Sequence, residues 1–122
     1  MQTQFKKGAL EMCVLSLLAK RDYYGFELVQ TISEHMDLSE GTVYPLLHRL
    51  KKEGLCTTYV QESESGPMRK YYQITEDGLE QQEDLLFQWQ DFSQAVKKII
   101  DLSKKSQIRK KNNQEKTKKE LI

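Results

Sequence analysis

Hydrophobic residues recur at spacings of three and four along the first part of the chain, a period typical of amphipathic helices. The pattern covers residues 8–21, breaks over residues 22–25, and resumes over residues 26–36. It returns over residues 40–53, where four apolar residues share one side of the predicted helix: Val43, Leu46, Leu47 and Leu50. The chain is therefore expected to begin with three short helices.

The third predicted helix has a start signal and a stop signal. Ser39 is a suitable N-cap, because its hydroxyl can accept a hydrogen bond from a backbone N–H of the first turn, and Glu40 suits the positive end of the helix dipole. Gly54 is suited to follow the last turn, since glycine adopts the left-handed conformation without strain. Pro45 is expected to cost little if the helix begins a residue or two later.

Beyond residue 55 the pattern changes to that of two strands. β-branched and aromatic residues dominate residues 56–61 and 69–74, and the polar stretch between them contains Gly66-Pro67. This predicts a β-hairpin with a Gly-Pro turn. Thr75 is then expected to cap a fourth helix over residues 76–103.

The fourth predicted helix is too long to be covered by so small a body, and it carries an apolar stripe. Its members recur with heptad-like spacing: Leu79, Leu86, Trp89, Val96 and Ile100, widened by Leu85, Phe92 and Ile99. A second copy of the chain is the simplest cover, so we expect a homodimer. Trp89 is expected first as a dimer-core residue, but an aromatic interface is also a drug-sized apolar site, so the candidate dimer and effector pocket comprises Leu86, Trp89, Phe92 and Val96.

Length and charge restrict the class of protein. The 122 residues, 38% of them hydrophobic, suffice for one modest core. Residues 104–122 hold eight Lys/Arg and two Glu, a net charge of +6, so the overall +1 leaves −5 for residues 1–103. The basic segment is expected to be a disordered or loosely helical tail that either attracts DNA nonspecifically or keeps the protein soluble.

Several other functions find no support in the sequence. Cys13 and Cys56 form no metal or disulfide pattern, and neither His35 nor His48 has a neighbouring nucleophile or carboxylate pair. No phosphate-binding glycine loop, signal peptide or membrane-length apolar run is present. We therefore expect a cytoplasmic protein that is not an enzyme and needs neither a cofactor nor a metal.

Three helices followed by a hairpin is the element order of a winged helix, a helix-turn-helix variant whose last helix enters the major groove of DNA. The expected fold class is mostly α with a small β-hairpin, in which a winged helix-turn-helix over residues 1–75 precedes a long dimerisation helix. The candidate DNA-binding residues are those that can contact phosphates or base edges from the third helix and the hairpin: Ser39, Thr42, Tyr44, His48, Arg49, Gly66, Arg69 and Lys70.

Several of these residues have a structural alternative. Tyr44 contacts a phosphate or packs between helices, and Arg49 contacts DNA or pairs with Glu53 one turn away. Arg69 and Lys70 are adjacent on a strand, so their side chains face opposite ways and only one is expected to reach DNA directly.

Three motifs, in order, carry a family resemblance. The run from Ser39 to Leu55, with Gly41-Thr42-Val43-Tyr44-Pro45 at its start, resembles the recognition helix of PadR-type regulators. Residues 24–28 are similar to the start of that family's second helix, and residues 66–78 are similar to its wing and to its Thr-x-x-Gly entry into the dimerisation helix.

The resemblance implies a homodimeric, usually repressive regulator that releases its operator when a small, often aromatic molecule binds. Two departures concern the wing: Met68 stands where Pro is common, and Pro67 stands where Arg is frequent. Losing that Arg removes one expected backbone contact. The competing hypothesis keeps the winged helix but gives it a protein partner in place of DNA.

Overall fold

The computed structural model describes the backbone of residues 3–121 and the side chains of residues 8–104. The elements follow in the order α1 (Thr3–Lys20), β1 (Tyr23–Tyr24), α2 (Gly25–His35), α3 (Glu40–Lys52), β2 (Cys56–Ser63), β3 (Gly66–Ile74) and α4 (Glu76–Leu121). This is the predicted winged-helix order, mostly α with a small sheet and a long last helix. The chain forms two compact units, Met1–Leu86 and Phe87–Ile122.

The hydrophobic core lies in the first unit and is built from the inner faces of α1, α2 and α3. Its largest fully buried side chains are leucines from all three helices: Leu15, Leu18, Leu28, Leu47 and Leu50. Burying one such side chain contributes about 1.5–3 kcal/mol relative to leaving it exposed. Leu18, Leu28, Leu47 and Leu50 occupy positions that the spacing predicts, whereas Leu15 was not among the predicted core positions.

The sheet has three antiparallel strands in the order β1-β3-β2, one strand more than the predicted two-stranded hairpin. The additional strand, β1, is only two residues long, and it pairs Tyr23 with Tyr72 and Tyr24 with Tyr71. The sequence pattern predicts only a break between helices at these two residues, because a two-residue strand has no periodicity of its own. It exists through its pairing with β3.

The predicted Gly-Pro turn of the hairpin is wrong. Both Gly66 and Pro67 belong to β3, and the chain reverses at Glu64 and Ser65. An irregularity in the pairing between Gln61 and Ser63 shifts the register there.

The start of α3 also differs from the expectation. Ser39 is the N-cap, yet its hydroxyl makes no capping bond to the backbone and instead lies 3.3 Å from the Thr42 hydroxyl. The helix begins at Glu40 and not later, so Pro45 lies inside it. The missing proline N–H deprives the carbonyl of Gly41 of its helical bond, and Gly41 is exposed to water. At the other end Gly54 adopts φ 78°, as predicted for the residue after the helix.

The entry into α4 is fixed against the end of α3. The Thr75 hydroxyl accepts a hydrogen bond from the Gly78 N–H at 3.0 Å and donates one to the Gly54 carbonyl oxygen at 2.7 Å. The Thr75 N–H donates to the Leu55 carbonyl oxygen at 3.2 Å. Gly78 lies so close to Leu55 that a Cβ built on it would collide with that carbonyl oxygen. Both ends of the Thr-x-x-Gly sequence are therefore required: Thr75 for its hydrogen bonds, and Gly78 because a larger side chain would collide with Leu55.

Helix α4 begins where predicted but continues beyond the predicted end at residue 103, to Leu121. Its first turns pack on the body: Leu85 contacts the core, and the Gln82 amide donates to the Ser16 hydroxyl of α1 at 3.2 Å. The side chains of residues 105–122 lie outside the described residues, so the expectations for the basic tail stay predictions. Among the helices that the structure describes, none is long and apolar enough to cross a membrane.

Replacing Gly78 by alanine is expected to lower the free energy of unfolding by about 2 kcal/mol, because the new methyl group forces the Leu55 backbone to move. Urea denaturation measures the change. Gly8→Ala is the matched control: nothing lies within 4 Å of the added Cβ in α1. That variant is expected to gain about 0.5–1 kcal/mol from helix propensity. An unchanged unfolding midpoint for Gly78→Ala would contradict the close approach.

Candidate nucleic-acid interface

Helix α3 has one buried face and one exposed face. The buried face anchors the helix in the core through Val43, Leu46, Leu47 and Leu50. The exposed face carries residues whose side chains can hydrogen-bond or pair with phosphate: Thr42, Tyr44, His48, Lys51 and Lys52. The core therefore fixes the direction in which these polar groups project.

At the first turn of α3, the structure brings two predicted site residues together. Ser39 and Thr42 are both exposed, and their hydroxyl oxygens lie 3.3 Å apart. A hydroxyl is both donor and acceptor, so this pair can exchange its mutual bond for one to a phosphate oxygen or a base edge.

Tyr44 is partly packed and partly exposed, so both roles predicted for it stay open. Its ring packs toward the start of α2, where a Cβ on Gly25 would lie 3.6 Å from it, yet 39% of the residue stays exposed. Partial burial raises the pKa of the Tyr44 phenol, and the charges of Glu40 and Tyr24 raise it further. The hydroxyl is consequently protonated at neutral pH and able to donate a hydrogen bond.

Arg49 is engaged within the protein. Its guanidinium donates to both carboxylate oxygens of Glu53, at 3.0 and 3.1 Å, and lies 3.4 Å from the carboxylate of Glu11 on α1. Of the two alternatives for Arg49, the structure contains the ion pair and adds a second carboxylate to it. The link to Glu11 ties α3 to α1.

The two cations of the wing, Arg69 and Lys70, lie on opposite faces of β3, as their adjacency predicts. The Arg69 guanidinium carbon lies 4.9 Å from the centre of the Tyr24 ring, and the Lys70 ammonium lies 5.7 Å from the centre of the Tyr72 ring. Both residues are exposed. Gly66 is also exposed, at the start of β3, opposite Ser63.

An aromatic cluster that the sequence pattern did not predict covers the outer face of the sheet around Arg69. The rings of Tyr59 and Tyr71 are stacked, with centroids 5.4 Å apart, and Tyr24 is tilted against Tyr71 at 6.1 Å. The Tyr59 hydroxyl donates to the Asp22 carboxylate at 2.7 Å, and this bond raises the pKa of Tyr59. The pairing of β1 with β3 creates the cluster, and the signal for it was the unassigned Tyr23-Tyr24 pair.

Arg69 and Tyr44 lie near two consecutive residues, Tyr24 and Gly25 respectively. Tyr24 immediately precedes Gly25, against which the Tyr44 ring packs, and the Arg69 guanidinium lies over its ring. Lys70 lies over Tyr72, the ring that also packs against Gly25.

The candidate pocket residues lie on α4, where the apolar stripe is largely uncovered in the single chain. In the second unit the exposed fractions are 38% for Trp89, 56% for Phe92 and 37% for Val96, while Leu86, at the end of the first unit, is half-buried.

Three helices, the third with one face buried in the core, followed by a β-hairpin, define the chain as a winged-helix protein. Comparison with known families agrees with this class, since the model of the transcriptional regulator PadR-like family matches residues 14–84. The chain belongs to the PadR-like family of transcriptional regulators.

Individual relatives support the assignment. The chain is similar to the transcriptional regulator Rv3488 of Mycobacterium tuberculosis, with 34% identity over 76 residues, covering 62% of this chain and 70% of the relative. It also resembles the crystal structure of a Streptococcus transcriptional regulator, with 41% identity, a TM-score of 0.75, and coverage of 80% of this chain and 98% of the other. A PadR-like transcriptional regulator from Bacillus cereus gives 40% identity, a TM-score of 0.73, and coverage of 80% and 97%.

Replacing Arg49 by alanine is expected to lower the free energy of unfolding by about 1 kcal/mol, the upper range for partly exposed ion pairs. Urea denaturation measures it, and a double-mutant cycle with Glu11→Gln isolates the contact between α1 and α3. A coupling energy of zero between the two substitutions would argue against a structural role for the contact of Arg49 with Glu11.

Proposed function

We propose that the protein is a ligand-responsive transcriptional repressor that binds a two-fold symmetric operator as a homodimer and acts in the cytoplasm. Membership in a family of transcriptional regulators supports the general role. The observation that carries the proposal is α3, whose apolar face is locked in the core while its opposite face presents polar and basic side chains.

In this proposal α3 lies in the major groove. Tyr44 and His48 then contact base edges or phosphates. The hydroxyls of Ser39 and Thr42, near the start of the helix, contact the DNA backbone. The wing follows the adjacent backbone, with the exposed Arg69 as its principal phosphate contact and Gly66 near the tip. Lys70 projects from the other face of the strand and adds charge at longer range.

The homodimer is proposed from the uncovered stripe on α4. In the second unit Phe92, Ile99 and Leu102 are each more than half exposed. Such a contiguous apolar face on a long helix is unfavourable in water and suited to pairing with a second helix. Two copies related by a two-fold axis present two recognition helices to two half-sites, which explains the symmetry proposed for the operator.

The effector site is proposed on the same stripe, at Leu86, Trp89, Phe92 and Val96. Aromatic side chains between two copies offer flat apolar surface to a planar ligand of drug-like size. A ligand bound there repositions the two helices and therefore the spacing of the recognition helices. Because Trp89 is the only tryptophan of the chain, its fluorescence reports binding at this site.

DNA selected from a random pool by the purified protein should be bound in a salt-dependent manner. Arg69→Ala is expected to weaken binding and to reduce the slope of log Kobs against log salt by about one, since one phosphate contact is lost. Tyr44→Ala is expected to weaken binding as well. Arg49→Ala serves as the control, because its charge is paired with two carboxylates, and its slope should match that of the parent. Unaltered binding by both Tyr44→Ala and Arg69→Ala would show that another surface meets DNA.

Replacing Val96 by glutamate is expected to turn a dimer into a monomer, because a carboxylate placed on the apolar stripe is not paired in the interface. Sedimentation velocity at micromolar concentration measures the change. Gln94→Glu introduces a similar carboxylate at an exposed position two residues away, outside the stripe, and should remain dimeric. A Val96→Glu variant that sediments like the parent would place the interface elsewhere.

A further inference from the structure

The wing cation Arg69 is in contact with an aromatic ring. Its guanidinium carbon lies 4.9 Å from the centroid of Tyr24, within the range of about 6 Å over which a cation is attracted to a ring face. Arginine on an exposed strand otherwise samples many rotamers, and fixing them upon binding costs affinity. A ring beneath the guanidinium reduces this cost by limiting the rotamers in advance.

Tyr24 is itself held firmly. Its backbone pairs with Tyr71 of β3, and its N–H donates to the Glu27 carboxylate at 3.3 Å. Its ring is tilted against those of Tyr71 and Phe26, with centroid separations of 6.1 and 6.4 Å. Tyr71 in turn stacks on Tyr59, at an interplanar angle of 8°. The ring under Arg69 therefore belongs to a supported aromatic face.

Tyr24 also precedes a residue that packs close to the recognition helix. This residue, Gly25, lies against the rings of Tyr44 and Tyr72, where a Cβ would be 3.6 and 3.2 Å away. Two consecutive residues, Tyr24 and Gly25, therefore approach the two elements proposed to meet DNA: Tyr24 lies under Arg69 of β3, and Gly25 lies near Tyr44 of α3.

Of the two wing cations, only Arg69 is placed in this way. Lys70 contacts Tyr72 on the opposite face of the sheet, at 5.7 Å, near the outer limit of the attraction. A flexible ammonium also stacks on a ring less well than a planar guanidinium.

We propose that Tyr24 is a positioning residue for DNA binding: its ring orients the Arg69 guanidinium, so that the wing cation is arranged before it meets a backbone phosphate. The inference rests on the proposed DNA-binding function. It assigns a role to the two-residue strand β1, whose pairing with β3 brings Tyr24 under Arg69.

The test is a double-mutant cycle in the full chain. The duplex is an operator selected by the parent protein, and Kobs is measured over a series of KCl concentrations for the parent, Y24F, Y24L, R69A and Y24L/R69A. Y24L is expected to weaken binding about two- to fivefold, the effect of one exposed cation–π contact. Y24F keeps the ring and should bind like the parent. In the R69A background Y24L should cause no further loss.

Each alternative outcome overturns the proposal in a different way. An equal loss from Y24L with and without Arg69 means that Tyr24 acts independently of it, as a merely structural residue would. A loss in Y24F means that the hydroxyl contacts DNA directly, and tighter binding by Y24L means that the ring holds Arg69 away from DNA. A parent protein that selects no DNA overturns the proposed function as well. If circular dichroism shows that Y24L does not fold, Y24M replaces it in the cycle, because the unbranched side chain fills the space without a ring face.

Discussion

The close approach of Gly78 to the Leu55 carbonyl is the constraint on which the arrangement of the first unit depends. Leu55 stands between α3 and β2, and its N–H still donates to the Leu50 carbonyl oxygen at 2.9 Å. Its carbonyl accepts from Thr75, which ends the sheet and caps α4. Four elements therefore meet at one peptide unit, and Gly78 is needed because no other residue leaves room for it.

This junction determines how the wing relates to the recognition helix. β2 begins and β3 ends at this junction, so the register of the hairpin is fixed at its base, where Cys56 pairs with Ile74. Because successive side chains of a strand point to opposite faces, this register places Tyr72 on the core side of the sheet and Tyr71 on the solvent side. A slip of one residue would exchange these faces and would move Arg69 away from Tyr24. The geometry of the candidate interface is thus a consequence of packing some distance from it.

Features encoded by local pattern could be predicted from the sequence. The apolar spacing of α3, the left-handed Gly54 and the capping threonine Thr75 each depend on residues within one or two helical turns, and the structure confirms them. The family motifs added the element order and the winged-helix class.

Features that depend on contacts between distant segments were missed. Strand β1 exists through its pairing with residues almost fifty positions away, and the second carboxylate beside Arg49 comes from Glu11 on another helix. The turn was misplaced because Gly66 and Pro67 are frequent in turns, whereas here the pairing of Ser63 with Gly66 extends the strand. Ser39 occupies the cap position but bonds to a side chain, a choice that propensity does not determine.

The distribution of charge explains why the orientation of individual cations matters in the proposed interface. Residues 1–103 have a net charge of −5, which disfavours the approach of DNA, and part of the acidic charge lines one open cleft beside Leu55: Glu53, Asp77, Glu80, Glu83 and Asp84. Arg49 is paired with carboxylates, which leaves Lys51 and Lys52 as the exposed cations near the end of α3.

The described part of the interface has few cations, and each phosphate contact contributes only one released counterion to the salt-dependent part of the binding free energy. The number of cations alone therefore does not account for the affinity. Unless the net charge of +6 in residues 104–122 supplies the difference, the few cations must be well placed before binding. A guanidinium resting on the Tyr24 ring meets that requirement within the wing itself.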